Sequence, residues 1–267
     1  MRSIAQLMKL SGCVAAITGG AGHIGSTMGA ALAELGASIA LIDRHGDACS
    51  KAAEGIAEQY GVAACSIQAD LAQESAILDI PRSIGNQFGR LDVLINCAAF
   101  VGTDALQGWN TSFATQSTET WRACLDVNLT SVFLLTQKCV PLLERSESGS
   151  VINILSIYGI VGPDWRLYDG TQMGNPAAYA ASKGGLLQLT RWLATTLAPK
   201  IRVNAITPGG VWRNQNASFH ERYISKVPLR RMATEEDFKG AAAYLASNLS
   251  SYVTGQNLVI DGGWTSW

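Results

Sequence analysis

The sequence has no paired-cysteine motif. Its six cysteines, Cys13, Cys49, Cys65, Cys97, Cys124 and Cys139, are scattered without CxxC spacing, and its three histidines, His23, His45 and His220, are equally dispersed. That excludes the ligand spacings of a zinc site and predicts no bound metal. It also predicts buried thiols in a reducing, cytoplasmic setting. Charge of one sign is lacking too. Twenty Lys+Arg face 21 Asp+Glu, a net charge of −1, and charged residues make up only 15% of the chain. No basic face for nucleic acid or for an anionic membrane is expected. No apolar run is long enough to span a bilayer, and the first ten residues are too short and too mixed for a signal peptide. Linkers, repeats and low-complexity tracts are missing as well. What is present is 48% hydrophobic residues over 267 positions, enough for one large domain spanning residues 1–267.

Short β-branched or apolar runs alternate with longer helical patterns. Strands are expected at 14–17, 38–42, 64–67, 93–96, 151–155, 202–206 and 258–260. Helices are expected at 24–35, 47–60, 74–88, 119–143, 177–198 and 235–247. The strand runs are apolar with little alternation, as in strands covered by helices on both faces. Strand–helix alternation implies βαβ units with right-handed crossovers. The expected fold is therefore α/β, a doubly wound parallel sheet of about seven strands (the Rossmann fold) with ligands at its carboxyl edge. Three long stretches, 100–118, 159–176 and 209–228, follow strands and should gather over that edge. The last of them contains a short helical pattern.

The first strand runs into Thr18-Gly19-Gly20-Ala21-Gly22-His23-Ile24-Gly25. Glycines allow a sharp strand-to-helix turn and let backbone approach a pyrophosphate, whose charge suits a helix N-terminus. The second strand ends at Asp43, 18 residues after Gly25. An acid there can bind both ribose hydroxyls of NAD and repels a 2′-phosphate. Arg44 follows directly and would tolerate NADP, but Asp43 holds the strand end, so NAD is the expected cofactor. Asp70, before Leu71, would face the adenine or cap the next helix.

Tyr179-Ala-Ala-Ser-Lys183 lies in a helical pattern, so phenol and ammonium share a face. A nearby ammonium and a positive nicotinamide would favour the phenolate and let Tyr179 exchange a proton near neutral pH. Ser156, at the end of the fifth strand, would emerge at the same edge.

In this order the motifs resemble the short-chain dehydrogenase/reductases, in their compact single-domain form. The resemblance runs from Thr18 to Gly263. It rests on the glycine loop, Asp43, Asp70-Leu71, Asn96-Cys97-Ala98-Ala99, Asn128 within Leu-Asp-Val-Asn-Leu, Ser156, Tyr179 with Lys183, Arg202-Val-Asn-Ala-Ile-Thr-Pro208-Gly209, and Val259-Ile-Asp-Gly-Gly. It implies hydride transfer between NAD(H) and a secondary alcohol or ketone. Tyr179 would be the general acid/base and Ser156 would orient the carbonyl. Lys183 would bind the nicotinamide ribose and lower the Tyr179 pKa, and Asn128 would hold a water leading from Lys183 to solvent. Gly19, Gly22, His23, Ile24, Gly25, Asp43, Arg44, Asp70, Leu71, Asn96 and Ala98 would line the cofactor, with Pro208, Gly209 and Val211 against the nicotinamide.

The chain departs from that pattern in three places. His23 stands where the compact branch has its middle glycine, and it faces solvent or touches a cofactor phosphate. Cys97 replaces an Asn. Ser156 and Tyr179 are 23 positions apart, a longer gap than usual, filled by 163–173 with Asp164, Trp165, Arg166, Tyr168 and Asp169. That insertion is either a surface loop or a pocket wall.

The segment from Ser156 to Gln256 also looks like a subgroup linked to glycan and flagellin modification, including the flagellin modification protein A type. Trp165, Arg166, Trp212, Arg213, Asn214 and Gln215 would suit a sugar or nucleotide sugar. The leading expectation is thus an NAD-dependent oxidoreductase on a polar small molecule. A 3-oxoacyl thioester (acyl-carrier-protein) reductase is the alternative, and a non-catalytic NAD sensor or scaffold is the third. The long helices carry apolar outer residues such as Leu187 and Trp192, and the resemblance implies that they pack across subunits of a homotetramer or homodimer. Trp264 and Trp267 would reach a neighbour or cap their own subunit.

Overall fold

The computed structural model describes residues 1–101 and 106–267; the part of the 100–118 stretch at 102–105 lies outside them. Seven parallel strands form one sheet: β1 (Val14–Thr18), β2 (Ser38–Asp43), β3 (Ala64–Gln68), β4 (Val93–Asn96), β5 (Gly149–Ile154), β6 (Ile201–Pro208) and β7 (Asn257–Ile260). Their order is β3-β2-β1-β4-β5-β6-β7. The chain therefore reverses its winding between β1 and β4, which opens a crevice beyond their carboxyl ends.

Helices alternate with the strands. They are α1 (Ile4–Met8), α2 (His23–Glu34), α3 (Gly46–Tyr60), α4 (Glu74–Phe88), α5 (Thr118–Leu125), α6 (Ser131–Leu143), α7 (Ala177–Leu197), α8 (Ala217–Lys226) and α9 (Lys239–Ala246). Alternate strand side chains feed opposite layers. Ala15, Ile17, Ile39 and Leu41 join Met28, Leu32 and Phe238 in one core, while Val14, Ala16, Ala40 and Ile42 join Ile80, Ile84 and Leu193 in the other.

The helix expected over 119–143 is interrupted. A π-helical turn at Asp126–Thr130 separates α5 from α6 and carries the buried Asn128. One added residue in a helix leaves little trace in a 3.6-residue pattern, and such bulges favour functional sites. The helix expected over 235–247 begins as a 3₁₀ turn, Glu235–Phe238, capped by Thr234 and Asp237. Among the described residues, no helix is long and apolar enough to cross a membrane, and no cluster of His, Cys, Asp and Glu could hold a metal.

Candidate active site

The carboxyl ends of the strands frame a cleft of about 490 Å³, within the usual size of ligand sites. Gly19, Gly22, His23, Ile24 and Gly25 form one wall. Asp43, Arg44, Asp70 and Leu71 form the far end, and Ala98, Ser156, Tyr179, Lys183, Pro208, Gly209 and Val211 complete it. Five candidates do not line it. Asn96, Trp165, Arg166 and Trp212 are absent from the cleft wall, and Asn128 lies behind it, with Val127 at the surface instead.

The glycine loop is shaped for close backbone approach. Gly19 has φ +68°, and a Cβ there would lie 2.9 Å from the Ala98 Cα. A Cβ on Gly25 would overlap the Gly19 carbonyl oxygen. Helix α2 opens onto the cleft at Gly22 without a side-chain cap, so its N-terminal amides remain available for an anion. These residues fit a dinucleotide's pyrophosphate. Asp43 is fixed at the far end: its carboxylate accepts the Ala21 amide at 3.1 Å and the His45 amide at 3.0 Å. Asp70 accepts the Ala72 amide at 3.0 Å, closing its own turn rather than capping α4.

Thr18 ties the two strands at the crevice together. Its hydroxyl accepts the amides of Cys97 and Ala98 at 3.0 and 3.1 Å. Asn96, expected beside the cofactor, turns into the sheet instead, where its amide donates to Asn153 at 2.8 Å. The chain clears the sheet only at Cys97, so Asn96 is still inside it. The Cys97 thiol is pushed up to about 12, mainly by burial, and stays protonated.

At the chemical end, Tyr179 sits in the first turn of α7, and Ser156 follows β5. The Ser156 hydroxyl accepts the Tyr158 amide at 3.2 Å and faces the Tyr179 phenol. Burial pushes the Tyr179 phenol up to about 12, with Ser156 opposing. Lys183 is buried one turn on, and its Nζ donates to the Ile154 carbonyl oxygen at 2.8 Å. Burial pulls its ammonium down to about 8. In the protein alone, the contribution that opposes burial at Tyr179 comes from Ser156.

Asn128 is fully buried behind the cleft. Its side chain accepts the Phe100 amide at 2.6 Å and donates to the Ser182 hydroxyl at 3.1 Å. It pins the segment after β4 against the turn of α7 that carries Lys183, and its side chain is turned away from the cleft.

None of the insertion lines the cleft, although its Tyr168 reaches Tyr158 behind the catalytic pair. Trp165 is exposed and Arg166 pairs with Asp164 at 2.8 Å. Trp212 lies against His220, their rings 4.4 Å apart. These three residues, expected to face the substrate, do not line the cleft. Buried Leu167 instead packs with Phe219, Tyr223, Val227 and Met232, which tethers the insertion to α8. Lys226 also pairs with Asp164, and Arg222 donates to the Asp169 carbonyl oxygen at 2.6 Å. Tyr158 and Tyr223, which the sequence did not single out, stand near the centre. The Tyr158 hydroxyl meets that of Tyr168 at 2.5 Å, and the Tyr223 hydroxyl accepts the Gly210 amide at 2.5 Å. Tyr158 was reachable from its place two residues after Ser156. Tyr223 was not, because only the fold brings α8 over Gly210. Trp264 stacks on Tyr223 at 4.6 Å and so caps its own subunit.

Comparison with known proteins agrees with this geometry. The family described as enoyl-(acyl carrier protein) reductase matches residues 19–265. The 3-oxoacyl-[acyl-carrier-protein] reductase FabG of Aquifex aeolicus is 31% identical over 261 residues, covering 96% of this chain and 98% of that one. A short-chain type dehydrogenase/reductase from Mycobacterium marinum superposes with a TM-score of 0.86 at 31% identity, covering 99% of each chain. An NAD+-bound xylitol dehydrogenase superposes with a TM-score of 0.84 at 30% identity, covering 96% of this chain and all of that one. The chain belongs to the short-chain dehydrogenase/reductase family.

Proposed function

We propose that this protein interconverts a ketone and a secondary alcohol, with NAD(H) as the preferred dinucleotide and Tyr179 as the general acid/base. The observation that carries the reading is the convergence of Ser156, Tyr179 and Lys183 on the cleft whose other wall is the glycine loop. A bound nicotinamide dinucleotide supplies or accepts the hydride. The chain does the rest. Ser156 and Tyr179 offer two hydroxyl donors to one carbonyl oxygen, and as charge develops on that oxygen the Tyr179 proton moves to it. With its pKa pushed up to about 12, Tyr179 holds that proton at neutral pH, which suits reduction of a ketone. Lys183 stands behind the phenol as a cation. The preference for NAD is supported by Asp43, whose fixed carboxylate faces the cleft and would repel a 2′-phosphate.

For the substrate, the 3-oxoacyl thioester reading is the better supported. The FabG relative carries that name, and the aromatic residues invoked for a sugar stand outside the cleft. A sugar alcohol is the second reading, supported by the structural likeness to xylitol dehydrogenase. The deciding experiment follows NADH and NADPH absorbance with acetoacetyl-coenzyme A, xylitol and nucleotide sugars. Turnover of the thioester above the sugars is expected, and turnover of none of them with either dinucleotide would remove the functional reading. Exposed Trp121, Phe133 and Trp192 on α5–α7 support assembly into a homotetramer or homodimer. The six unpaired cysteines support a reducing, cytoplasmic setting.

A further inference from the structure

A carboxylate stands at the phosphate end of the cleft, where an anion is expected to bind. Glu235 Oε1 lies 2.8 Å from Arg213 Nη1 and 3.8 Å from His23 Nδ1. His23 is the first residue of α2, and both His23 and Arg213 line the cleft. Glu235 thus links the glycine-loop wall to the segment after β6, across the mouth of the site.

The arrangement is held in place by backbone. Val211 and Ala233 form a β-bridge, with the Trp212 amide donating to the Ala233 carbonyl at 2.9 Å. Gln215 accepts the Arg213 amide at 2.7 Å and donates to the Val211 carbonyl at 2.7 Å. Asn214 turns the chain with φ 56°, a conformation that asparagine tolerates better than most residues. Arg213 and Glu235 therefore face each other by construction.

An uncompensated carboxylate beside the N-terminus of α2 would repel a pyrophosphate, so Arg213 is needed there simply to cancel it. A partly exposed ion pair is weak and readily exchanged, whereas an Arg–phosphate pair forms two parallel charge-assisted hydrogen bonds. We propose that Arg213 grips the dinucleotide's pyrophosphate, exchanging Glu235 for it, and that Glu235 is the competing partner that weakens binding and speeds release. The proposal rests on the cleft being a dinucleotide site.

The test is equilibrium binding of NADH and of ADP-ribose, read by quenching of tryptophan fluorescence, with NADH release followed by stopped flow. Arg213→Gln is expected to raise both dissociation constants about tenfold and to flatten their salt dependence, with Arg213→Lys recovering part of the loss. Glu235→Gln is expected to act in the opposite direction, with tighter NADH and slower release. Weakening by both variants would mark the pair as a structural brace and overturn the proposal, as would unchanged dissociation constants in both. A change confined to the KM of the oxidisable or reducible substrate would place Arg213 on that substrate and overturn it too. Failure of the wild-type protein to bind NADH, NADPH or ADP-ribose would remove the dinucleotide reading and this proposal together.

Discussion

Lys183 and Tyr179 share a helix face but do not share a hydrogen bond. The ammonium lies 5.8 Å from the centre of the phenol ring and donates to the Ile154 carbonyl oxygen instead. The pair is thus a cation held behind a proton-bearing phenol, and the fold anchors the cation to the strand that delivers Ser156.

Tyr179→Phe removes the proton donor and leaves the ring. The kcat should fall by about 10²–10⁴-fold, the usual contribution of a positioned acid, with the NADH dissociation constant changed by less than about threefold. Steady-state kinetics beside a fluorescence titration decide it. Retained turnover would assign the proton to another group.

Burying Lys183 as a cation lowers stability. Its folded pKa of about 8 is below the ordinary 10.5, so below pH 8 the cost is fully present, and it is relieved as pH rises from 8 to 10.5. A shift of that size corresponds to roughly 3 kcal/mol, less the lost bond to Ile154. Lys183→Met should therefore stabilise the protein at pH 7 by about 1–3 kcal/mol while abolishing turnover, and the gain should shrink toward pH 10.5. Urea unfolding at several pH values measures this, and a pH-independent difference would contradict it.

Asp43→Asn keeps the shape of the side chain and removes its charge. The ratio of kcat/KM for NAD over NADP should fall roughly tenfold, the scale of one charged hydrogen bond. An unchanged ratio, or an NADPH preference in the unaltered protein, would assign the dinucleotide choice elsewhere.

The insertion should matter through α8. Leu167→Ala opens a cavity in the cluster with Phe219 and Tyr223, costing about 2–5 kcal/mol and raising amide exchange across Ala217–Lys226. Trp165→Ala, by contrast, should leave kcat/KM within about twofold for any substrate. A large loss there would return Trp165 to the binding wall.

Seven strands were legible because parallel strands buried on both faces read as apolar runs, and their ends placed the glycine loop, Asp43, Ser156 and Pro208 at one edge. Tyr179 and Lys183 were legible because four residues make about one helical turn. The motif did not say where the chain leaves the sheet, and it is Cys97 and Ala98, not Asn96, that line the cleft. The role of Asn128 was hidden by the π turn, and its partners Phe100 and Ser182 lie far along the chain.

Local pattern therefore determined the fold class, the glycine loop and the candidate catalytic side chains, because each depends on spacings of a few residues. Only the tertiary structure decided which side chains face the cleft. Trp165, Arg166 and Trp212 resemble a binding wall in composition, yet none of them lines the cleft, because Leu167 ties the insertion to α8 and Trp212 lies against His220. The same folding brings Glu235 to Arg213 and His23 from distant segments. Tyr179 shows the division most clearly. Its place was written in the sequence, but the rise of its pKa comes from burial, which no spacing of residues encodes.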